Sequence, residues 1–238
     1  MRTQAFDPAD VVVIGGGILG AATTYWLTQM GVHNVALLEK DGLATGATGR
    51  SAGLVRMHYT NEWDAALAFE SWKLFSTWSE TVGGDCDFRK TGFLMIVGPD
   101  SVDSLHRNVA MLRGIGVNTR VLSSEELRDL QPALSLEGVG AAAYEPDSGY
   151  ADPTSTTTSL ARRAADGGAR VLQGVAAESI DVQGAAWRAS GLLPGGCQPP
   201  WSSTPRAPGR RSSRSRSSWS CQFARSGSSR CSFADRRA

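Results

Sequence analysis

Hydrophobic positions fall in short blocks whose period switches between two and about 3.6, the pattern of strands and helices following one another. An uncharged β-branched run, Val11 to Ile14, passes through a glycine cluster into a helix-like stretch that stops at Gly31, and a second strand is predicted from Val35 to Leu38. Asn61 suits a helix cap, and Trp63, Leu67, Leu74, Phe75 and Trp78 recur close to helical spacing beyond it, so this aromatic stripe is expected to face a core. Phe88 to Val97, FRKTGFLMIV, reads as a strand pair or one bent strand. Val102, Leu105, Val109 and Leu112 mark an amphipathic helix, and Ser123-Ser124-Glu125-Glu126 is a capping box opening a short helix that stops near Pro132. Asp152-Pro153 opens another helix, Gly167 and Gly168 close it, and Arg170 to Val175 is the next expected strand. From about Gly184 neither period persists.

The first block carries chemistry as well as structure. Gly15, Gly17 and Gly20 stand in G-x-G-x-x-G spacing between strand and helix. Gly15 is expected to permit the turn, Gly17 to let backbone N–H groups approach a pyrophosphate, and Gly20 to let the helix pack closely on the strand. The helix N-terminus then faces two phosphates, and such an end stabilises nearby anionic charge by roughly 0.3 to 1 kcal/mol. The second strand delivers Glu39, whose carboxylate suits the hydroxyls of a ribose and would repel a 2′-phosphate, which disfavours NADP. Ile18 at the helix start and Lys40 beside the acid complete this group of cofactor-binding candidates. The competing reading is a membrane span, since residues 11 to 30 carry no charge and approach the roughly 20 residues a bilayer needs. The glycine cluster, and the point at which the run stops, favour the dinucleotide motif.

After Lys40 and Asp41 the chain runs GLATGATGRSAGLVRMHYTN. Small residues here leave room for a flat ring, while Thr48, Arg50 and Ser51 supply hydrogen-bond donors; the plain alternative is a flexible surface loop with one solvated arginine. With the upstream fingerprint, this segment resembles the FAD-dependent amine and D-amino-acid oxidase family, in its sarcosine oxidase, glycine oxidase and dimethylglycine dehydrogenase branch. In that family a similar loop wraps the diphosphate and the edge of the isoalloxazine, which implies FAD-binding roles for Gly46, Ala47, Thr48, Arg50, Ser51, Ala52 and Gly53. Thr91-Gly92-Phe93-Leu94 is similar to the family's entrance to its substrate domain, and the stretch from Tyr144 to the family's return into the FAD domain. A valine ending the next strand holds the adenine through its backbone in relatives, so the resemblance carries that role to Val175.

The resemblance implies an α/β fold, a Rossmann-like FAD-binding domain interleaved with a mixed α+β substrate lobe and incomplete at the C-terminus. The expected divisions are 8–82 and 144–184 for the FAD-binding domain, 83–143 for the substrate lobe, and 185–238 for a disordered tail. The implied activity is FAD-dependent oxidation of the C–N bond of a secondary amine or amino acid, sarcosine-like or glycine-like, by hydride transfer to flavin. Arg56 and His58 follow the flavin loop and are the nearby cationic or titratable candidates for contact with the ring or a substrate carboxylate. A hydrogen-bonded structural role is the simpler reading of His58. His33 sits in a predicted turn and His106 on an amphipathic helix, and three scattered histidines suggest no metal site.

Charge divides the chain. Up to Gly184 there are 14 Lys and Arg against 22 Asp and Glu; beyond it there are 10 Arg, no Lys and one acid. This tail is rich in Arg, Ser, Gly and Pro and holds three of the four cysteines. It reads either as a basic arm for nucleic acid or as a GC-rich gene translated out of register. Reading its codons one register over admits GVAGVRTPAGGLPAAVVVDAAGAWAA from Ala185, a strand and glycine turn similar to the family's at this point, which favours the shifted frame. The chain as written would then lack strands and a late glycine-rich segment of the family fold, with loss of activity expected through truncation. The contrasting reading is a non-catalytic dinucleotide-binding fragment with a nucleic-acid-binding tail. An NAD-linked dehydrogenase accounts for Gly15 to Glu39 but gives the Arg50 loop no role. Cys86, alone before the tail, and an N-terminus without a signal-peptide core suit a reducing cytoplasm. A small amine or amino acid is the expected partner, with no membrane. Resequencing across the codons for Gln183 to Trp187 is expected to find a base missing or two gained; an unchanged sequence would make the Arg/Ser tail genuine.

Overall fold

A computed structural model describes residues 9–183, 186–192, 216–222 and 230–234, with side chains through Ala177. In chain order the elements are β1 (Val11–Ile14), α1 (Ile18–Gln29), β2 (Val35–Glu39), β3 (Leu54–Val55), α2 (Glu62–Ser76), α3 (Trp78–Thr81), β4 (Arg89–Lys90) and β5 (Phe93–Val97). There follow α4 (Val102–Ile115), β6 (Arg120–Leu122), α5 (Ser124–Leu130), β7 (Ala141–Glu145), β8 (Gly149–Tyr150), α6 (Pro153–Asp166) and β9 (Arg170–Gln173). Last come β10 (Ala176–Gln183), β11 (Ala186–Leu192), β12 (Arg216–Gln222) and β13 (Arg230–Ala234). The chain forms two compact units, one from residues up to Arg50 with those from Pro153 onward, the other from Ser51–Asp152.

The first unit is built on a parallel sheet in the order β1-β2-β9, with Val11 opposite Val35 and Ala36 opposite Arg170. Val35 to Leu38 of the middle strand are all buried, as a parallel strand covered on both faces requires. Helix α1 buries Ala21, Thr24 and Tyr25 and packs against α6, which buries Thr156, Thr157, Leu160, Ala161 and Ala164. The uncharged run 11–30 is thus strand, turn and a 12-residue helix. At 1.5 Å per residue that helix is about 18 Å long, short of the ~30 Å hydrocarbon core. Among the described residues no helix is long and apolar enough to cross a membrane. The unit also holds an antiparallel sheet in the order β10-β11-β12-β13, pairing Ile180 with Ala189, Ser190 with Ser218 and Ser220 with Ser232. Three of its strands lie in the stretch expected to lack regular structure; a backbone ladder needs no alternating apolar side chains, so the missing periodicity gave no sign of them. The rest of that stretch lies outside the described residues.

Two antiparallel sheets, β3-β8-β4 and β5-β7-β6, organise the second unit. The segment Phe88 to Val97 holds two strands, as the strand-pair reading expects, but they do not pair with each other: Gly92 at φ 77° turns the chain so that β4 joins β8 while β5 joins β7 in the other sheet. The amphipathic helix is α4, whose Leu105 and Val109 cover Ala143 of β7, while Leu112 meets Met57, Ala65 and Val117. The capping box is present at α5: Ser123 Oγ accepts from Glu126 N–H at 3.1 Å, and the Glu126 carboxylate accepts from Ser123 N–H at 2.8 Å. Leu127 of this helix then packs on Leu122 and Ala142.

Helix α2 turns a different face inward from the one its large residues suggest. Trp63 is 81% exposed and Leu67 68% exposed, and the buried side is instead Ala65, with Phe69 and Trp72 packed on Met57 and Leu112. Positions 65, 69 and 72 follow the i, i+4, i+7 rule, and Phe69 and Trp72 stack with ring centres 5.6 Å apart. Phe75 stacks on the buried Trp78, so the expectation of core packing is met at that end only. This packing places α2 and α3 in the second unit, and the chain divides at 50/51 and 152/153 where 82/83 and 143/144 were expected.

Asp147 ties this unit together at its surface. Its carboxylate accepts from Lys90 Nζ at 2.9 Å and Asn118 Nδ2 at 2.8 Å, and its backbone carbonyl accepts from Trp72 Nε1 at 2.9 Å. The Lys90 bond first, then that of Asn118, holds the carboxyl pKa below its ordinary value. A depressed carboxyl pKa stabilises the fold above the unfolded value, about 3.9, and that stability is lost as the pH falls through the folded value. Asp147→Asn is expected to cost about 1 kcal/mol or less at pH 7 and nothing in strong acid, measured by urea unfolding. An equal cost at both pH values would show that charge plays no part.

Candidate functional site

The three glycines behave as their spacing requires. Gly15 sits at φ 103°, where the chain leaves β1, and its N–H donates to Leu38 O at 2.8 Å. A Cβ on Gly20 would lie 1.8 Å from the Gly15 carbonyl, so α1 can start this close to the strand only with glycine there. Gly17 caps the helix in extended conformation, and a Cβ on it would meet Thr48 Oγ1 at 2.9 Å. Thr48 Oγ1 in turn accepts from Ile18 N–H at 3.0 Å, which sets a hydroxyl over the N-terminus of α1.

Glu39 closes the other side. One carboxylate oxygen accepts from Gly16 N–H at 2.6 Å and the other from Asp41 N–H at 2.8 Å. A carboxylate has about four acceptor positions, so two remain for ribose hydroxyls. Gly16 was absent from the sequence-derived set. A Cβ there would fall 2.8 Å from Glu39 Cβ and 2.9 Å from Leu43 Cδ2, and the only sign of it in the sequence was its place as the middle glycine of a GGG run. Gln173 was also missed: its Oε1 accepts from Leu43 N–H at 2.9 Å across 130 residues of sequence, a contact no local pattern encodes.

The remaining candidates divide by unit. Lys40 is exposed, with its ammonium 3.9 Å from the Asp41 carboxylate. Arg50 is exposed at the end of the short 3-10 turn Thr48–Arg50. Val175 does not end a strand, because β9 stops at Gln173 and Gly174, at φ 73°, turns the chain. Val175 is buried after that turn and its N–H donates to Glu39 O at 2.8 Å, so this donor is already engaged. In the second unit Ser51 and Ala52 are exposed, Ser51 Oγ accepts from Gly53 N–H at 3.3 Å, and Gly53 O accepts from Ala151 N–H at 2.9 Å.

Arg56 and His58 are brought together in that unit. The Arg56 guanidinium donates to the His58 carbonyl and lies over Tyr59 and Phe93, 4.6 and 5.4 Å from the ring centres. Arg56 is half-buried, and among the described residues it has no carboxylate partner. His58 is 3% exposed, with Nε2 3.0 Å from Asn108 Nδ2 and Nδ1 3.2 Å from Glu145 Oε1.

A glycine turn opening a helix, a hydroxyl over the helix end and an acid closing the second strand make the first unit a dinucleotide-binding α/β module, and these residues fit the ADP half of FAD. The chain belongs to the FAD dependent oxidoreductase (DAO) family, which matches residues 10–197, and the family's cofactor is FAD. Human mitochondrial sarcosine dehydrogenase is 32% identical over 176 residues, 73% of this chain and 19% of that protein. Among solved structures, L-proline dehydrogenase from P. horikoshii superposes with a TM-score of 0.71 at 28% identity, covering 77% of this chain and 49% of that one. Glycine oxidase from Geobacillus kaustophilus gives 0.65 at 26%, covering 76% and 51%. The chain therefore spans about a fifth of the sarcosine dehydrogenase and about half of the two solved proteins. Gly20→Ala is expected to destabilise the chain by at least about 2 kcal/mol and to abolish FAD retention, read by thermal unfolding and flavin absorbance. Unchanged Tm and retention would contradict the close approach of helix and strand.

Proposed function

We propose that the intact protein oxidises the C–N bond of a secondary amine or amino acid that bears a carboxylate, sarcosine-like or glycine-like, with FAD as the electron acceptor. The observation that carries this reading is Arg56, a half-buried guanidinium steadied by a backbone carbonyl and two aromatic rings and facing no carboxylate of its own among the described residues. Such a group matches a substrate carboxylate in charge and in fork geometry. The three similar proteins support the class, because sarcosine, proline and glycine all place an amine nitrogen on a carbon that carries a carboxylate.

The chemistry FAD supplies when bound is acceptance of a hydride equivalent from the carbon bonded to nitrogen, after which water hydrolyses the imine product. The protein's share is placement. The N-terminus of α1 and the Thr48 hydroxyl hold the pyrophosphate, Glu39 holds the ribose, and Arg56 fixes the substrate by its carboxylate. The Arg/Ser-rich tail has no role in this scheme. Its composition supports a change of reading frame near Gly184, although the family match runs on to residue 197, and a chain so altered is proposed to lack activity.

Protein expressed with the frame restored is expected to be yellow and to be bleached without oxygen by N-methylglycine. Arg56→Ala should raise KM for N-methylglycine at least about tenfold, the scale of one lost charge-assisted bond pair. Bleaching by dimethylamine as readily as by N-methylglycine, with no effect of Arg56→Ala, would remove the carboxylate from the proposed substrate.

A further inference from the structure

Glu145 is fully buried at the end of β7, where an ionised carboxylate is costly unless every oxygen is engaged. Apolar residues of similar size often stabilise such a position as well or better, so core packing alone does not account for an acid here. Its contacts point in one direction. Oε2 accepts from Ser148 Oγ at 2.8 Å and from Met57 N–H at 3.2 Å, and Oε1 faces His58 Nδ1 at 3.2 Å, out of line for a full hydrogen bond. The carboxylate thus holds the Met57 backbone by a hydrogen bond and faces the ring of the next residue, His58, at close range. From the other side, Asn108 of α4 donates its amide to His58 Nε2 at 3.0 Å, so the ring proton belongs on Nδ1, toward Glu145.

We infer that Glu145 and Asn108 are positioning residues that act through His58 on Arg56. The guanidinium itself meets the His58 carbonyl, Tyr59 and Phe93. By clamping the His58 ring and the Met57 backbone they fix the His58 carbonyl, and that carbonyl is the hydrogen-bond acceptor that orients Arg56 between Tyr59 and Phe93. This inference rests on the reading of Arg56 as the carboxylate anchor and gives His58 a definite role: its ring is a structural strut, and its backbone does the aiming.

The test uses the ¹⁵N-labelled full chain. In wild type, the His58 ring should show its proton on Nδ1, and the Arg56 Nη hydrogens should be resolved and slow to exchange. Glu145→Gln keeps an acceptor for Met57 and Ser148 but presents an amide N–H to the ring, so the His58 proton should move to Nε2. In Glu145→Gln, and independently in Asn108→Ala, Arg56 Nη exchange should speed up by about tenfold while the amide spectrum of β5 and β7 is retained. Unchanged Arg56 exchange in both folded variants, or unprotected Arg56 in wild type, overturns the inference and leaves the cluster as core. Titration with N-methylglycine and dimethylamine separates the two claims. Equal binding of both overturns the carboxylate reading, whereas the exchange rates decide the positioning without any ligand.

Discussion

The Glu39 carboxylate is the group on which the cofactor module turns. It accepts from Gly16 N–H and Asp41 N–H, and the same residue's carbonyl accepts from Val175 N–H, so the glycine turn, the loop after β2 and the connection after β9 are tied to one residue. Hydrogen bonds to a charged acceptor contribute roughly 1.5 to 3 kcal/mol each, about twice a neutral pair. Two consequences follow from the geometry. Gly16 must lack a side chain to let the carboxylate approach, and the carboxylate is held in place by two backbone N–H groups of the protein itself.

The second unit repeats this device around another acid. Glu145 orders the Met57–His58 backbone, as Glu39 orders the glycine turn, but it is fully buried where Glu39 is only half-buried. The difference suits their tasks. Glu39 keeps lone pairs beyond its two backbone donors, which the proposed ribose contact would use, whereas in Glu145 one oxygen accepts from Met57 and Ser148 and the other faces the His58 ring.

Where a structural feature is local in sequence, it was legible there. The turn at Gly15, the close approach at Gly20, the acid at the end of β2 and the capping box at Ser123 each depend on residues a few positions apart or on a fixed motif length. What failed depends on partners distant in sequence. Large aromatic residues pointed to one face of α2, but Met57 and Leu112 received the face carrying Ala65, Phe69 and Trp72. Phe88 to Val97 read as a strand pair or one bent strand without its partners, and β4 and β5 found different sheets because β7 and β8, which pair with them, part at Asp147. Val175 was placed one turn too early, since a single glycine at φ 73° separates it from β9. Gln173 and Glu145 carried no motif, and only their neighbours in space show what they do.

The most direct test of the central claim is a titration of the purified chain with FAD, followed by quenching of flavin fluorescence, in wild type and in Glu39→Ala. Saturable one-to-one binding, weakened at least about tenfold by the substitution, is the predicted result. Failure of the wild-type chain to bind, or identical affinity in the two proteins, would contradict the assignment of Glu39 and the α1 N-terminus as the FAD cradle.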